Sequence, residues 1–206
     1  MSYPIRSLLS LAALVAALLA PAAAVAAAGP PRDGPMANFT PIDPPRPAPA
    51  ATFANADGGT VSLDSFRGRV VLLNLWATWC GPCVDEMASL DHLQAKLGGA
   101  DFAVVAVSQD LGGLPTVTRF YKRHGIEALA IYTDSRNELS HKLKIPGLPT
   151  TMLIGRDGRA VGAFVGGADW SSPEAIALIR YYIDAAKPAP PVAPDADPDV
   201  IKASGP

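Results

Sequence analysis

The sequence contains little cysteine: only Cys80 and Cys83 among its 206 residues carry a thiol. Two thiolates cannot complete the tetrahedral shell of a structural zinc ion, and His92, His124 and His141 show no ligand spacing, so a metal site is disfavoured. A disulfide across two intervening residues would add little stability, since the entropic gain grows with the length of the closed loop. The pair is therefore interpreted as chemically reactive, and a purely structural disulfide is the less favoured alternative.

An excess of basic charge is also absent. The chain has 17 Lys and Arg residues against 19 Asp and Glu residues, a formal net charge of -2, and 17% charged residues overall. Proteins that bind nucleic acids carry basic patches or a high positive charge, so the composition gives no indication of a nucleic-acid partner. The 49% of hydrophobic residues is typical of a globular chain with apolar additions.

The N-terminal residues 1–28 indicate export. Arg6 supplies a positive charge near the start, and an apolar run with alanine triplets follows, which fits a signal peptide with a small-residue cleavage site. The stretch from Leu8 to Ala28 has 21 residues without a charge, which is also long enough for an uncleaved membrane anchor. Both interpretations stay open, and either one exports the residues that follow.

Proline-rich segments flank the predicted domain. Residues 29–50 contain eight prolines and no periodicity, so we predict an extended, semi-rigid linker. Residues 187–206 consist largely of alanine, proline and aspartate and are predicted to be disordered. The intervening residues 51–186 are numerous enough to form one well-buried domain.

Within this domain, apolar runs alternate with helical patterns, and turn signals separate them. The order predicts an α/β fold with a mixed central sheet, helices on both faces and an N-terminal hairpin. Strands are predicted at residues 52–54, 60–63, 69–76, 102–108, 129–132, 150–154 and 160–165, a helical turn at 64–68, and helices at about 81–97, 115–124, 136–143 and 173–185.

The two cysteines lie between the predicted strand 69–76 and the helix that follows it. At the helix N-terminus, free N–H groups and the helix dipole stabilise a thiolate, so we expect a lowered pKa for the Cys80 thiol and assign it as the nucleophile. Cys83, nearly one turn further, would be less exposed and would resolve the mixed disulfide. Pro82 is preset in φ for a first helical turn, and Gly81 permits the close approach of a partner.

The motif Trp79-Cys80-Gly81-Pro82-Cys83 resembles the active site of the thioredoxin superfamily. The wider run 71–80 is similar to the TlpA branch of that superfamily, as are the segments 147–150 and 166–170. The resemblance implies a thioredoxin fold with a βα insertion, and a periplasmic thiol-disulfide oxidoreductase that uses a CxxC dithiol and no cofactor.

The resemblance also implies a docking turn before the strand 150–154. On the motif alone, Pro149 either forms a cis peptide bond or simply begins the strand, and carrying over the family pattern favours cis. The backbone of Leu148 would then face an extended substrate peptide, with Pro149 and Thr150 beside it.

Three further positions are assigned as support for the site. Asn74 stands where thioredoxins generally carry a buried aspartate, and because it cannot titrate we predict a structural hydrogen-bonding role. Glu86 either tunes cysteine ionisation, as proposed for TlpA-like proteins, or is an exposed carboxylate that favours the helix dipole. Trp79 is expected to cover the thiols and contact partners.

Three functions remain open. The Gly81-Pro82 dipeptide is typical of reducing family members, which favours a monomeric periplasmic reductant, soluble or tethered to the inner membrane. The family implies that electrons come from a membrane thiol transporter and pass to apocytochrome c or to copper-site proteins of cytochrome oxidase. The alternatives are a disulfide oxidase or isomerase, and a Cu(I) chaperone; against the latter, copper-handling relatives space their cysteines by three residues, and no histidine follows His141.

Overall fold

The computed structural model describes residues 29–185, and its strands form one mixed sheet. The predicted targeting segment 1–28 and the predicted disordered tail 187–206 lie outside the described residues. The strands are β1 (Thr40–Pro47), β2 (Thr52–Asn55), β3 (Thr60–Ser62), β4 (Val70–Trp76), β5 (Phe102–Ser108), β6 (Tyr132–Thr133), β7 (Thr150–Ile154) and β8 (Arg159–Val165). The helices are α1 (Gly81–Leu97), α2 (Gly113–His124), α3 (Glu138–Leu143) and α4 (Pro173–Ala185), with 3-10 turns at Gly34–Met36 and Leu63–Phe66.

The sheet has the strand order β1-β8-β7-β4-β5-β6-β2-β3. Its centre is formed by β4, which pairs in parallel with β5 and antiparallel with β7. Every residue of β4 and β5 is buried, as expected for continuous apolar runs covered on both faces. The predicted α/β architecture with a mixed sheet is therefore confirmed, and the carboxyl end of β4 leads directly to the cysteines.

Helices cover both faces of this sheet. Alternate residues of β4 point to opposite faces, so that Leu72 and Trp76 join one buried cluster while Leu73 and Leu75 join the other. The first cluster contains the inner faces of α1, α2 and α4, and the second contains α3 and the β2–β3 hairpin. Between residues 29 and 185 no helix has both the length and the apolar character needed to cross a bilayer.

The strand predicted at residues 129–132 is shorter and lies later in the chain. Only Tyr132 and Thr133 pair with β5, opposite Val107 and Ser108. Leu129 is buried in the cluster that contains the inner faces of α1, α2 and α4, but it does not belong to any strand of the sheet. Its apolar character therefore reflects burial in a loop, which a short run of residues does not distinguish from a strand.

The prediction that residues 29–50 form a linker is wrong. Residues Thr40–Pro47 form β1, an edge strand that pairs antiparallel with β8. Met36 is 0% exposed and Phe39 is 3% exposed, so both belong to the core. Prolines are tolerated in this strand because an edge strand does not need every N–H for pairing. The folded unit thus begins well before residue 51.

Phe39 attaches this segment to the domain. Its ring lies so close to Gly162 of β8 that a Cβ at position 162 would overlap it, and it also contacts the Tyr182 ring at a centroid distance of 6.1 Å. Arg159 of β8 also holds β1 in place, because its Nε and Nη2 donate to the Pro45 carbonyl oxygen at 3.1 and 2.8 Å.

We expect Phe39→Leu to lower the free energy of unfolding by about 1–2 kcal/mol, because the ring that packs against Gly162 and contacts the Tyr182 ring is lost. Urea denaturation of the oxidised protein measures this change. Asn38→Ala, an exposed neighbour in the same segment, is the control and should change stability by less than about 0.5 kcal/mol. Equal urea midpoints for both variants would mean that the segment contributes as little to the stability of the domain as a linker would.

Candidate active site

Cys80 and Cys83 are joined by a disulfide at the junction of β4 and α1. Cys80 is the N-cap residue of α1 in an extended conformation, and Cys83 lies in the first helical turn. Among the described residues no side chain caps this helix, so Cys80 adjoins N–H groups that have no intrahelical acceptor. Cys80 is 8% exposed and Cys83 is 0% exposed, in the expected order.

A buried carboxylate holds the loop that carries Cys80. Asp110 accepts hydrogen bonds from the Thr78 backbone N–H at 2.9 Å and from the Thr78 hydroxyl at 2.6 Å. The Ser108 hydroxyl donates to the same carboxylate at 2.8 Å. The loop is thereby tied to the end of β5. The sequence did not reveal this role for Asp110, although a polar residue two positions after a buried strand is a usable signal.

The two tryptophans beside the cysteines have opposite environments. Trp79 is 71% exposed, whereas Trp76 is fully buried and packs against Phe120 and Tyr121, with ring centroids 5.0 and 6.1 Å away. Trp76 therefore supports the core. Trp79 presents a large apolar surface next to Cys80, and its contact with partners stays a prediction.

The turn before β7 lies at the same edge of the sheet as the cysteines. The Leu148–Pro149 peptide bond is cis, as the family resemblance implied. Thr150 pairs with Leu75 near the carboxyl end of β4, and its hydroxyl donates to the Gly147 carbonyl oxygen at 2.7 Å. Leu148 is half-buried, so part of it is accessible next to the cysteine loop.

Glu86 is buried, and the interpretation of this residue as an exposed helix carboxylate is therefore wrong. It is 2% exposed and lies one turn after Cys83 on α1. Burial disfavours the charged carboxylate and raises the pKa of Glu86 from 4.5 to about 7, although hydrogen bonds from Asn74, Trp170 and Ala168 oppose this shift. The carboxyl group can thus exchange a proton near neutral pH.

Three donors fix the Glu86 carboxylate. The Asn74 side-chain amide donates to Oε1 at 2.7 Å, while the Trp170 indole N–H and the Ala168 backbone N–H donate to Oε2 at 3.1 and 3.2 Å. The Asn74 amide also donates to the Thr151 hydroxyl at 3.0 Å, which agrees with its predicted structural role. Asn74 Oδ1 has no partner within residues 29–185.

Trp170 and Ala168 were not identified as site residues from the sequence, although the resemblance covered their segment. This segment, 166–170, crosses the first turn of α1, where a Cβ at Gly167 would lie 3.1 Å from the Pro82 carbonyl oxygen. Only a residue without a side chain permits this close approach. Within the described residues, no three His, Cys, Asp or Glu side chains are grouped as metal ligands.

Comparison with known proteins places this site in a family context. The chain is 30% identical over 105 residues to the thiol-disulfide oxidoreductase ResA of Bacillus thuringiensis, a match that covers 51% of this chain and 60% of ResA. The chain thus spans less than two thirds of that relative's length.

Two solved structures from Chlorobium tepidum share the fold. One, described as a candidate thiol:disulfide interchange protein DsbE, superposes with a TM-score of 0.61 at 27% identity and covers 69% of this chain and 99% of its own. The other, a thiol:disulfide interchange protein of the thioredoxin family, has a TM-score of 0.57 at 25% identity with the same coverage. Residues 45–179 match the Redoxin family model. The chain therefore belongs to the Redoxin family, and within the thioredoxin superfamily it is TlpA-like.

Proposed function

We propose that this protein is a thiol-disulfide oxidoreductase that reduces disulfides of partner proteins through Cys80 and Cys83. The observation that carries the proposal is the disulfide between these two residues at the start of α1, in which only Cys80 has measurable exposure. A buried disulfide far from a helix N-terminus would offer neither access nor thiolate stabilisation. The named activities of the relatives support the same chemistry.

The reaction transfers two electrons in two exchange steps. In the reduced protein, the Cys80 thiolate attacks one sulfur of the partner disulfide, so that a mixed disulfide forms and the second partner sulfur leaves as a thiolate. Cys83 then loses its proton and attacks the Cys80 sulfur, which releases the reduced partner and leaves the Cys80–Cys83 disulfide. The burial of Cys83 supports this order, because it hinders direct attack on a partner.

Glu86 is suited to accept the proton that Cys83 loses. Residues at positions i and i+3 are neighbours on a helix surface, so the carboxyl group lies on the helix face that Cys83 shares. Its pKa of about 7 leaves it partly ionised at neutral pH, where a base that accepts and returns a proton is most useful. Asn74 cannot titrate, and its amide orients the carboxylate.

Partner docking involves the surface around the cysteines. The Leu148 backbone can pair with an extended peptide, while Pro149 and Thr150 shape the turn beside it. The exposed Trp79 can cover the apolar part of such a peptide. Gly81 and Pro82 are both exposed and leave room for the partner sulfur.

A reducing role in the periplasm follows from the resemblance and the Gly-Pro dipeptide. The substrates would be apocytochrome c or copper-site proteins of cytochrome oxidase, and a membrane thiol transporter would return electrons to the monomeric protein. The N-terminal segment 1–28 would export the domain or tether it to the inner membrane.

The reduction potential of the Cys80–Cys83 pair tests the direction of electron flow. We expect a value of roughly −270 to −230 mV after equilibration with defined thiol buffers, because such values are typical of reducing members of this superfamily. The Cys80→Ser variant is the control and should show no redox transition. A value near about −120 mV would instead identify a disulfide donor.

A further inference from the structure

A cleft with one basic wall lies beside the cysteine loop. Its volume is about 280 Å³, and one wall is formed by Thr78 and Val84, which flank the cysteine motif. The other wall belongs to α2 and includes Arg119, Arg123 and His124. Thr116 and Phe120 of α2 complete the lining, and we refer to this cleft as the basic cleft.

The cations of the basic cleft are not neutralised within the protein. Arg119 and Arg123 are exposed, and neither forms a hydrogen bond or an ion pair with any residue between 29 and 185. The α2 sequence contains Lys122 as a further cation and no acidic residue. The His124 ring stacks on Phe120 at a centroid distance of 4.1 Å, which holds it at the rim.

Two carboxylates on the adjoining elements are engaged elsewhere. Asp110 binds Thr78 and Ser108, as described above. Asp91 of α1 accepts hydrogen bonds from three successive backbone N–H groups, at residues 127–129. Asp85, which follows Val84 on α1, lines a different cleft together with Pro82 and Gly167, and Glu127, just beyond α2, is exposed. Among the described residues no carboxylate forms an ion pair with Arg119 or Arg123, so both guanidinium groups are open to an anion from a partner.

Two residues that line the basic cleft are close to the cysteines in the sequence. Thr78 precedes Cys80 by two residues, and Val84 directly follows Cys83. A partner polypeptide advances about 3.3 Å per residue in an extended conformation. When the disulfide of such a peptide reaches Cys80, peptide residues only a few positions from that disulfide therefore lie over the cleft.

We propose that the basic cleft binds acidic side chains that flank the disulfide of the partner polypeptide. The inference rests on the proposed function and specifies its substrate class. Arginine guanidinium groups bind carboxylates in a bidentate arrangement, so two unpaired arginines next to Cys80 favour a partner with Asp or Glu near its cysteines. The formal net charge of the whole chain is -2, so the attraction has to come from this local patch.

Rates of disulfide reduction test the proposal. Three peptides would share one disulfide and differ only in having Asp, Ser or Lys at the flanking positions. Removing both arginines in R119S/R123S should lower the second-order rate constant for the acidic peptide about tenfold at low ionic strength, because electrostatic steering and contact are lost. The rate for the Ser peptide should stay within about twofold, and added salt should reduce the difference.

A matched control removes the same charge at a distance. R46S/K96S changes two exposed cations: Arg46 lies in β1 near the opposite end of the sheet, and Lys96 lies in the last turn of α1, about 24 Å along the helix from Cys80. This variant should reduce all three peptides at wild-type rates. Equal losses in both double variants, or equal losses for all three peptides in the cleft variant, would overturn the proposal.

Binding without chemistry separates this inference from the proposed function. The acidic peptide with serines in place of its cysteines should bind the wild-type protein more tightly than the neutral one, and R119S/R123S should abolish the preference. Intrinsic tryptophan fluorescence is the readout, because Trp79 is exposed whereas Trp76 and Trp170 are buried. Selective binding without reduction of any disulfide peptide would support the cleft and overturn the reductase function. Reduction with no preference in rate or binding would overturn the cleft alone.

Discussion

Replacing Cys83 with serine is expected to convert the protein into a trap for its partners. Cys80 can still attack a partner disulfide, but no second thiol remains to resolve the mixed disulfide. Multiple turnover should fall on the order of 10³-fold, with about one partner molecule held per protein. Non-reducing electrophoresis of periplasmic extracts, followed by mass spectrometry of the reductant-sensitive bands, measures the trapped species.

The reciprocal variant controls for the order of attack. In Cys80→Ser the remaining thiol belongs to a residue that is 0% exposed, so it should capture no partner. If Cys80→Ser trapped as much protein as Cys83→Ser, the assignment of Cys80 as the nucleophile would be wrong. If Cys83→Ser trapped nothing, exchange with protein disulfides would not be the function.

The second large effect concerns the pH dependence of stability. The pKa of Glu86 is about 7 in the folded protein, above its usual value of 4.5, so the folded state binds the proton more tightly than the unfolded state does. The associated stability is fully present below pH 4.5 and is lost as the pH rises through 7. The shift corresponds to about 3 kcal/mol, since one pKa unit is worth about 1.4 kcal/mol.

Glu86→Gln should remove this pH-dependent loss of stability. Urea denaturation of the oxidised proteins between pH 4 and pH 8 would show the wild type losing about 3 kcal/mol relative to the variant. Glu86 Oε1 accepts from the Asn74 amide nitrogen, so the introduced amide finds an acceptor when the Asn74 side-chain amide turns over and presents its Oδ1, which has no partner among the described residues. We therefore expect the variant to fold. Glu127→Gln changes an exposed carboxylate and should follow the wild-type curve. Parallel curves for wild type and Glu86→Gln would show that burial does not shift this carboxyl group.

Local patterns were sufficient for most of the secondary structure. The run 102–108 reads as a buried strand because all of its residues are apolar or small, and it forms β5. The Asp157-Gly158 turn between β7 and β8 and the Ser172 cap of α4, whose hydroxyl accepts from the Ala175 N–H at 3.3 Å, are equally local. Such features depend on residues a few positions apart, which a sequence displays directly.

The proline-rich segment shows where local patterns fail. Composition indicates a linker, whereas the segment pairs with β8, about 120 residues further along the chain, and inserts Met36 and Phe39 into the core. Nothing within residues 29–50 shows that Gly162 leaves space for an aromatic ring. The pairing partner decides the structure of the segment, and that partner is remote.

The site divides in the same way. The chain order alone identifies Cys80 and Cys83 and their place at a helix N-terminus, because the strand, the cysteines and the helix are consecutive. The family resemblance adds the cis bond before Pro149. Alternation along β4 also puts Asn74 on the face that α1 covers, together with Leu72 and Trp76. Its contact with that helix could therefore have been predicted from the sequence.

What the sequence determined by itself is therefore the chemistry: a reactive dithiol at the start of a helix, in an α/β domain with an apolar central strand. The tertiary structure decided the environment of that dithiol. Asp110 reaches Thr78 across 32 residues, and Trp170 reaches Glu86 across 84. The burial that raises the pKa of Glu86 and the basic wall that α2 places beside Cys80 exist only after these distant elements have packed together, because solvent exclusion and charge proximity are properties of the folded chain.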